Sequence, residues 1–475
     1  MLMEEPAGGR LRRNLNSFEV LLLTLSCLSP VVSIFGIGGD VLHQVGTGAA
    51  GLFGLGIAAA VVWAVIYAEL GSAYPYAGAD YVGVGSILGG WAGVVTLAMW
   101  AATVGPSLAF TAKSLAPYVT ELAPGLPAGP IPFVTLAIAA AIALLGVRTG
   151  ALVTGAFLAV ELAAVAVLIG VGVIHPVRGP AALIAQPFAV VGGHWTAVPA
   201  AALALGALSA IYATIGGNQA LSFGEELKDP HRRMGPVVIV ACMIGAFATA
   251  LPVILVILSA RDLPAVLVSP APFATFLASA LGAWAGPALS AGVALAIFNA
   301  LVASVMSYGR LYFSLGRDRL FGAAVDGLLA SVTPAGVPRA ATLVVTAFSL
   351  ACAFVDSHIL LVFMTGMLVY GWGLVCLAVL VGRRKGLTGA PGYWRAPFFP
   401  LFPILGLAMA AIFAVSDLMD ADAGRPSLLL LGLVFAAALA WYHLVLKRRP
   451  GGWTPTLEEA GAGPRMVDER LDREV

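Results

Sequence analysis

The chain has 475 residues, 60% of them hydrophobic and 10% charged, with a formal net charge of +1. Soluble domains carry about 25% charged and about 45–50% apolar residues, so this composition excludes one water-soluble core. A mean hydropathy of +0.97 fits a chain that crosses a bilayer repeatedly, at about 20 apolar residues per crossing.

In chain order, residues 1–17 are polar and basic (MLMEEPAGGRLRRN at the start) and run into an apolar segment too long for a signal-peptide core. They are expected to form a cytoplasmic segment with no cleaved leader. The first apolar segment, 18–43, contains LSPVVSIFGIGGD. Pro30, Ser33, Gly36, Gly38 and Gly39 each weaken an α-helix, so a break is expected there. Segments 49–73, 87–115, 131–146 and 151–174 follow, the last with Glu161 in its middle. Segment 198–223 holds ATIGGNQALSFG, where Gly216, Gly217, Asn218 and Gln219 predict a second break. Segments 236–260, 286–314, 340–356 and 359–382 come next, then 401–418 and 427–446. The tail 447–475 is polar and expected to be disordered.

Backbone groups in lipid need internal partners, which leaves helices or a closed barrel. These runs are too long and uniformly apolar for alternating barrel strands. The fold class is therefore all-α, a polytopic membrane protein with 12 transmembrane helices. Of the 25 Lys and Arg residues, all but Lys113, Arg178, Arg261 and Arg425 fall on one side of this arrangement. The positive-inside rule makes that side cytoplasmic, with both termini on it. The four cysteines, Cys27, Cys242, Cys352 and Cys376, are scattered singly and read as reduced core residues.

The breaks in the first and sixth segments hold matching positions if segments one to five and six to ten are two similar halves. Paired discontinuous helices near the midplane are the pattern of an inverted-repeat transporter, whose free backbone groups bind a small polar solute. Close packing of small residues between helices is the alternative reading of the same glycines. The chain carries no HExxH, GxSxG or P-loop pattern, so no enzyme, cofactor or metal site is expected. Its basic residues are spread over the inner loops, which gives no nucleic-acid footprint.

Several motifs resemble those of the amino acid–polyamine–organocation (APC) permease superfamily over residues 15–445. SPVVSIFG resembles its broken first helix, and YAELGSAYPYAGADYVGVGSILG its pattern YAELxxxxPxAGGxYxY. GEELKDPHRRMGP resembles AEExKNPxRxxP, and YGRLYFSLGRDRLFG resembles SRxxYxxxRDGxxP. LGVRTGALV resembles GVKxxGxVQ. The resemblance implies a five-plus-five inverted-repeat core over 18–382 (repeats 18–174 and 198–382), with two further helices over 383–446. It implies transport of amino acids or amines across the plasma membrane by alternating access. Val32, Ser33, Ile34, Phe35 and Gly36 would then receive the substrate carboxylate through backbone amides. Tyr212, Thr214, Ile215, Gly216, Gly217 and Asn218 would meet the ammonium and side chain. Glu69 and Glu226 match acids of the family pattern and are candidate inner gates. Asp80, in AGADY, reads as a solvated loop or capping residue.

This chain departs from the family in two places. Many members read F-x-G-F-E where Thr214, Ile215, Gly216, Gly217 and Asn218 stand, so the gating aromatic and the acid are absent. Neutral Asn218 argues against a strongly cationic substrate, and Thr214 with Gly217 leaves space for a bulkier side chain. Relatives also carry lysine where Glu161 stands. A carboxyl inside a span costs about 2.5–3.5 kcal/mol on insertion scales, which marks it for function. Glu161 is expected to carry a coupling proton, or to hold a sodium ion with Ser304 or Ser307. A hydrogen bond to a neighbouring helix, without coupling, is the structural alternative.

Overall fold

A computed structural model describes residues 15–28, 30–76, 79–144, 151–183, 185–224, 227–333, 337–449 and 453. The first apolar segment gives α1 (Ser17–Leu28), a π-helical turn (Val32–Gly38) and α2 (Gly39–Val45). Then come α3 (Gly48–Ala73), α4 (Ala79–Leu88), α5 (Gly90–Leu122), α6 (Ile131–Leu144) and α7 (Ala151–Ile174). A hairpin of β1 (Phe188–Val191) and β2 (His194–Ala197) precedes α8 (Ala200–Thr214). The sequence continues through α9 (Pro230–Ser259), α10 (Leu263–Val268), α11 (Pro272–Leu281) and α12 (Ala285–Arg317). It ends with α13 (Ala323–Leu329), α14 (Arg339–Cys352), α15 (Ser357–Arg384), α16 (Leu401–Met419) and α17 (Gly424–Trp441).

Among the described residues, eight helices are long and apolar enough to cross a membrane. They are α3, α5, α8 with the turn after it, α9, α12, α15, α16, and α17 with the turn after it. The other expected crossings coincide with α1 to α2, which is a composite piece, with α7, and with α6 and α14, which have 14 residues each. At 14 residues, α14 extends about 21 Å, less than the ~30 Å of bilayer hydrocarbon.

Local chemistry sets the ends. Asp262 and Asp356 cap α10 and α15, accepting from Ala265 N at 3.1 Å and His358 N at 2.8 Å. Pro230 opens α9 at the position where a missing N–H costs nothing. Pro106 and Pro117 interrupt the hydrogen-bond ladder within α5. Helix α3 packs along α9 and α8, while α5 runs against α12 and α15. This places both expected breaks in the centre of the molecule, with Val31, Ile34 and Phe35 in the buried core.

The hairpin is a feature the apolar pattern did not announce. Its turn is Gly192–Gly193, with φ of 58° and 82°, which a two-residue hairpin of the primed type requires. The hairpin clasps the C-terminal end of α2. Thr47 N donates to Phe188 O at 2.9 Å, and Phe188 N donates to Thr47 Oγ1 at 2.9 Å.

Candidate functional site

The first segment differs from expectation: it stays wound. The helical backbone runs from Pro30 to Val45 and widens into the π turn instead of opening into extended chain. Proline removes one N–H donor and its ring crowds the turn before it. The i→i+5 bonds of a π turn absorb that mismatch while keeping most backbone groups paired inside the helix. Gly36 makes the close approach to α5 feasible, since a Cβ there would sit 2.7 Å from Ser114 Oγ. Two backbone groups are served from other helices. Glu161, 7% exposed on α7, accepts Val31 N–H at 2.9 Å. Tyr118 Oη donates to Phe35 O at 3.1 Å.

The sixth segment breaks. Helix α8 ends at Thr214, Ile215 is extended (φ −100°, ψ 166°), and Gly216 takes φ 141°. A side chain rarely adopts that φ, so glycine is required. The chain then re-coils as a 3₁₀ turn over Gly217–Phe223. The break is closely held: a Cβ on Gly217 would lie 2.6 Å from Cys242 N on α9. Thr214 Oγ1 turns back to Ile211 O at 2.9 Å. Asn218 Oδ1 accepts from Trp63 Nε1 of α3 at 3.3 Å.

Between the two segments lies a cavity of about 160 Å³. Packed proteins with an apolar cavity of ~150 Å³ admit a benzene-sized guest, so a small organic solute fits. The first segment contributes Leu28, Val32, Ser33 and Ile37 to its wall, and the sixth Tyr212, Ile215, Gly216, Asn218 and Gln219. Helix α5 adds Trp100, Thr103, Ser107, Phe110 and Thr111; α12 adds Ala300, Ser304 and Tyr308; α15 adds Met364 and Leu368. None of these lining residues carries a charge. Ser107 Oγ stands 3.5 Å from Tyr308 Oη.

Of the residues singled out by sequence, Val32, Ser33, Tyr212, Ile215, Gly216, Asn218 and Ser304 line this cavity. Ile34, Phe35 and Gly36 face the core instead; the Phe35 ring meets Tyr118 and Phe273 edge-on, at 5.8 and 5.1 Å between centroids. Thr214 and Gly217 border a second hollow of about 10 Å³, shared with Pro30 and Ser33. Ser307 is exposed and away from the cavity wall. Sequence reasoning missed the α5 wall. Thr103, Ser107 and Thr111 recur every four residues in the middle of α5, which puts all three on one face, and that stripe was the available signal.

Glu226 lies outside the described residues. Glu69 is fully buried near the C-terminal end of α3. Its carboxylate accepts from Arg383 Nε at 2.7 Å, Thr388 Oγ1 at 2.8 Å and Ala396 N at 2.9 Å. Charge-assisted bonds from a guanidinium fork fix geometry as well as energy, and here they join the C-terminal ends of α3 and α15 to the loop that follows.

The amino acid permease family model matches residues 19–451, which takes in every membrane segment and both sides of the cavity. The chain belongs to the amino acid permease family. This permease is accordingly a multi-pass membrane protein of a family of amino-acid and amine transporters, as the APC-like motifs imply. No curated protein matches the chain. Of its cysteines, Cys242 and Cys376 are buried and Cys352 partly so, all three as free thiols.

Proposed function

We propose that the protein is a secondary active transporter that moves amino acids with neutral side chains across the plasma membrane by alternating access. In this reading the chain crosses the bilayer twelve times, its first ten crossings form two inverted repeats, and both termini are cytoplasmic. The observation that carries it is the cavity of about 160 Å³ between the two irregular segments, lined among the described residues without a single charged side chain. A zwitterion entering it meets dipoles in place of ions. The last carbonyls of α8 have no intrahelical partner and form the negative end of a helix dipole, suited to an ammonium. The hydroxyls of Ser33, Ser107 and Ser304 suit the carboxylate, and Ile37, Phe110, Met364 and Leu368 suit an apolar side chain. The backbone of residues 32–36 is wound into the π turn, so the offer of its amides to the carboxylate belongs to a state in which that turn opens. Glu161 serves first to hold that turn, through its bond to Val31 N.

The test is uptake by the purified full-length protein in proteoliposomes, with leucine, phenylalanine, arginine, lysine and putrescine in competition. Leucine or phenylalanine is expected to accumulate against its gradient. Preference for arginine or putrescine turns the reading to an amine exchanger, and equilibration without accumulation turns it to a channel. Binding without any movement turns it to a sensor. Imposed pH and sodium gradients separate proton coupling, sodium coupling and exchange.

A further inference from the structure

Asp80 is not the solvated loop residue its surroundings in sequence suggest. It lies in the first turn of α4, a ten-residue helix in the connection between α3 and α5 and outside the eight spanning helices. Its carboxylate reaches back between helices. Tyr67 Oη of α3 donates to Asp80 Oδ2 at 3.1 Å, and Trp100 Nε1 of α5 donates to the same oxygen at 3.0 Å. Oδ1 receives no hydrogen bond among the described residues.

The carboxylate borders a hollow of about 10 Å³, closed on its far side by α15, which is the room one water molecule needs. Trp372 lines the same hollow and is 2% exposed, and its Nε1 finds no partner among the described residues. Buried donors are nearly always satisfied, so an orphaned N–H beside a half-satisfied carboxylate marks a polar site. Trp100 and Thr103 line both this hollow and the larger cavity. Thr103 Oγ1 also donates to Trp100 O at 2.7 Å. One indole thus touches the half-buried acid with its N–H and the substrate cavity with its ring.

The chemistry selects the ligand. Both donors meet Oδ2, and among the described residues no second carboxylate lines the hollow; a metal cation needs a shell of several oxygens, whereas a proton needs one. Among the described residues, no cationic side chain faces Asp80. The titratable groups around it are Tyr67, with Cys242 and Cys376 beyond the phenol. The Glu69 carboxylate on α3 is turned to Arg383, and Asp318 meets the neighbouring Tyr81 at 3.5 Å. Burial pushes the Asp80 carboxyl up to about 6, against the opposing pull of Tyr67 and Trp100.

We propose that Asp80 takes up and releases the coupling proton of the transport cycle, and that Trp100 passes its charge state to the substrate cavity. The inference rests on the transport reading above. The proton adds to the carboxylate from the inner side to give the neutral acid and leaves by the reverse step. A hydrogen bond to an ionised acceptor is roughly twice as strong as one to a neutral acceptor. Protonation therefore loosens Trp100 at the cavity wall, and solute binding must shift the Asp80 titration in return.

Two readouts on the full-length protein in proteoliposomes test this. Infrared difference spectra across pH report a protonated carboxyl directly, with a wild-type midpoint expected near 6. The band should vanish in Asp80→Asn. In Tyr67→Phe the midpoint should move to higher pH, because a donor that favours the carboxylate is gone. In the second readout, an inward acid gradient should drive leucine accumulation in wild type. Asp80→Asn should lose that accumulation while retaining leucine counterflow. Gradient-driven accumulation in Asp80→Asn, or survival of the band, overturns the proposal. If Asp80→Asn does not fold, an unmoved midpoint in Tyr67→Phe overturns it alone. Absence of leucine movement in wild type brings down the transport reading and the coupling together. Wild-type accumulation indifferent to the pH gradient leaves transport standing and removes only Asp80's role.

Discussion

The first and sixth membrane segments solve one problem in two ways. Both carry helix-weakening residues at the centre of an apolar run, and both border the same cavity. The first keeps its helix by widening it into a π turn and borrows Glu161 and Tyr118 to serve Val31 N and Phe35 O. The sixth gives up the helix at Ile215 and Gly216 and re-coils more tightly. The difference follows from the backbone. Proline removes a donor but keeps a helical φ, so a wound solution exists. Gly216 sits at φ 141°, where no helix continues. Irregularity in lipid is held either by side chains from neighbouring helices or by a backbone that only glycine allows.

Substitutions should separate the two cases. The largest effect is expected at Gly216→Ala. Its backbone lies where a side chain is strained by about 1–3 kcal/mol, and the new Cβ would fall 2.3 Å from Leu28 Cδ2. Leucine uptake should fall to background and the thermal midpoint in detergent should drop. Retained uptake would show that the break is packing and not a working part. Next comes Glu161→Ala, which leaves Val31 N–H buried without an acceptor at a cost of about 1–3 kcal/mol. Glu161→Gln keeps an acceptor oxygen and should hold the midpoint near wild type. Equal losses in both variants would mean that the carboxylate's charge, not its hydrogen bond, secures the π turn. Tyr118→Phe should be mildest, about 1 kcal/mol for one hydrogen bond to a carbonyl, read from the same thermal melts.

The coarse architecture was legible because lipid imposes a simple rule. Runs such as those containing Trp63, Pro252 and Val293 have only one way to satisfy their backbones, and α3, α9 and α12 lie where the apolar runs place them. The break at Gly216 was legible for the same reason, since adjacent glycines and an asparagine interrupt such a run. The winding of the first segment was not. Whether proline and glycine unwind a helix or widen it depends on what stands opposite, and Glu161, Tyr118 and Ser114 are distant in sequence. The α5 wall was within reach through the Thr103, Ser107 and Thr111 spacing. Asp80 was not, because a loop-like string around an acid carries no trace of the two indoles and the phenol that surround it.

The Glu69–Arg383 pair has a consequence for handling the protein. Screening by dissolved ions acts over about 8 Å at physiological ionic strength and reaches dry pairs far less than wet ones. Glu69 has no exposed surface, and its remaining acceptor sites are taken by Thr388 and Ala396. Concentrated electrolyte should therefore leave the seam between the C-terminal ends of α3 and α15 shut while it slackens the charged loops beside it.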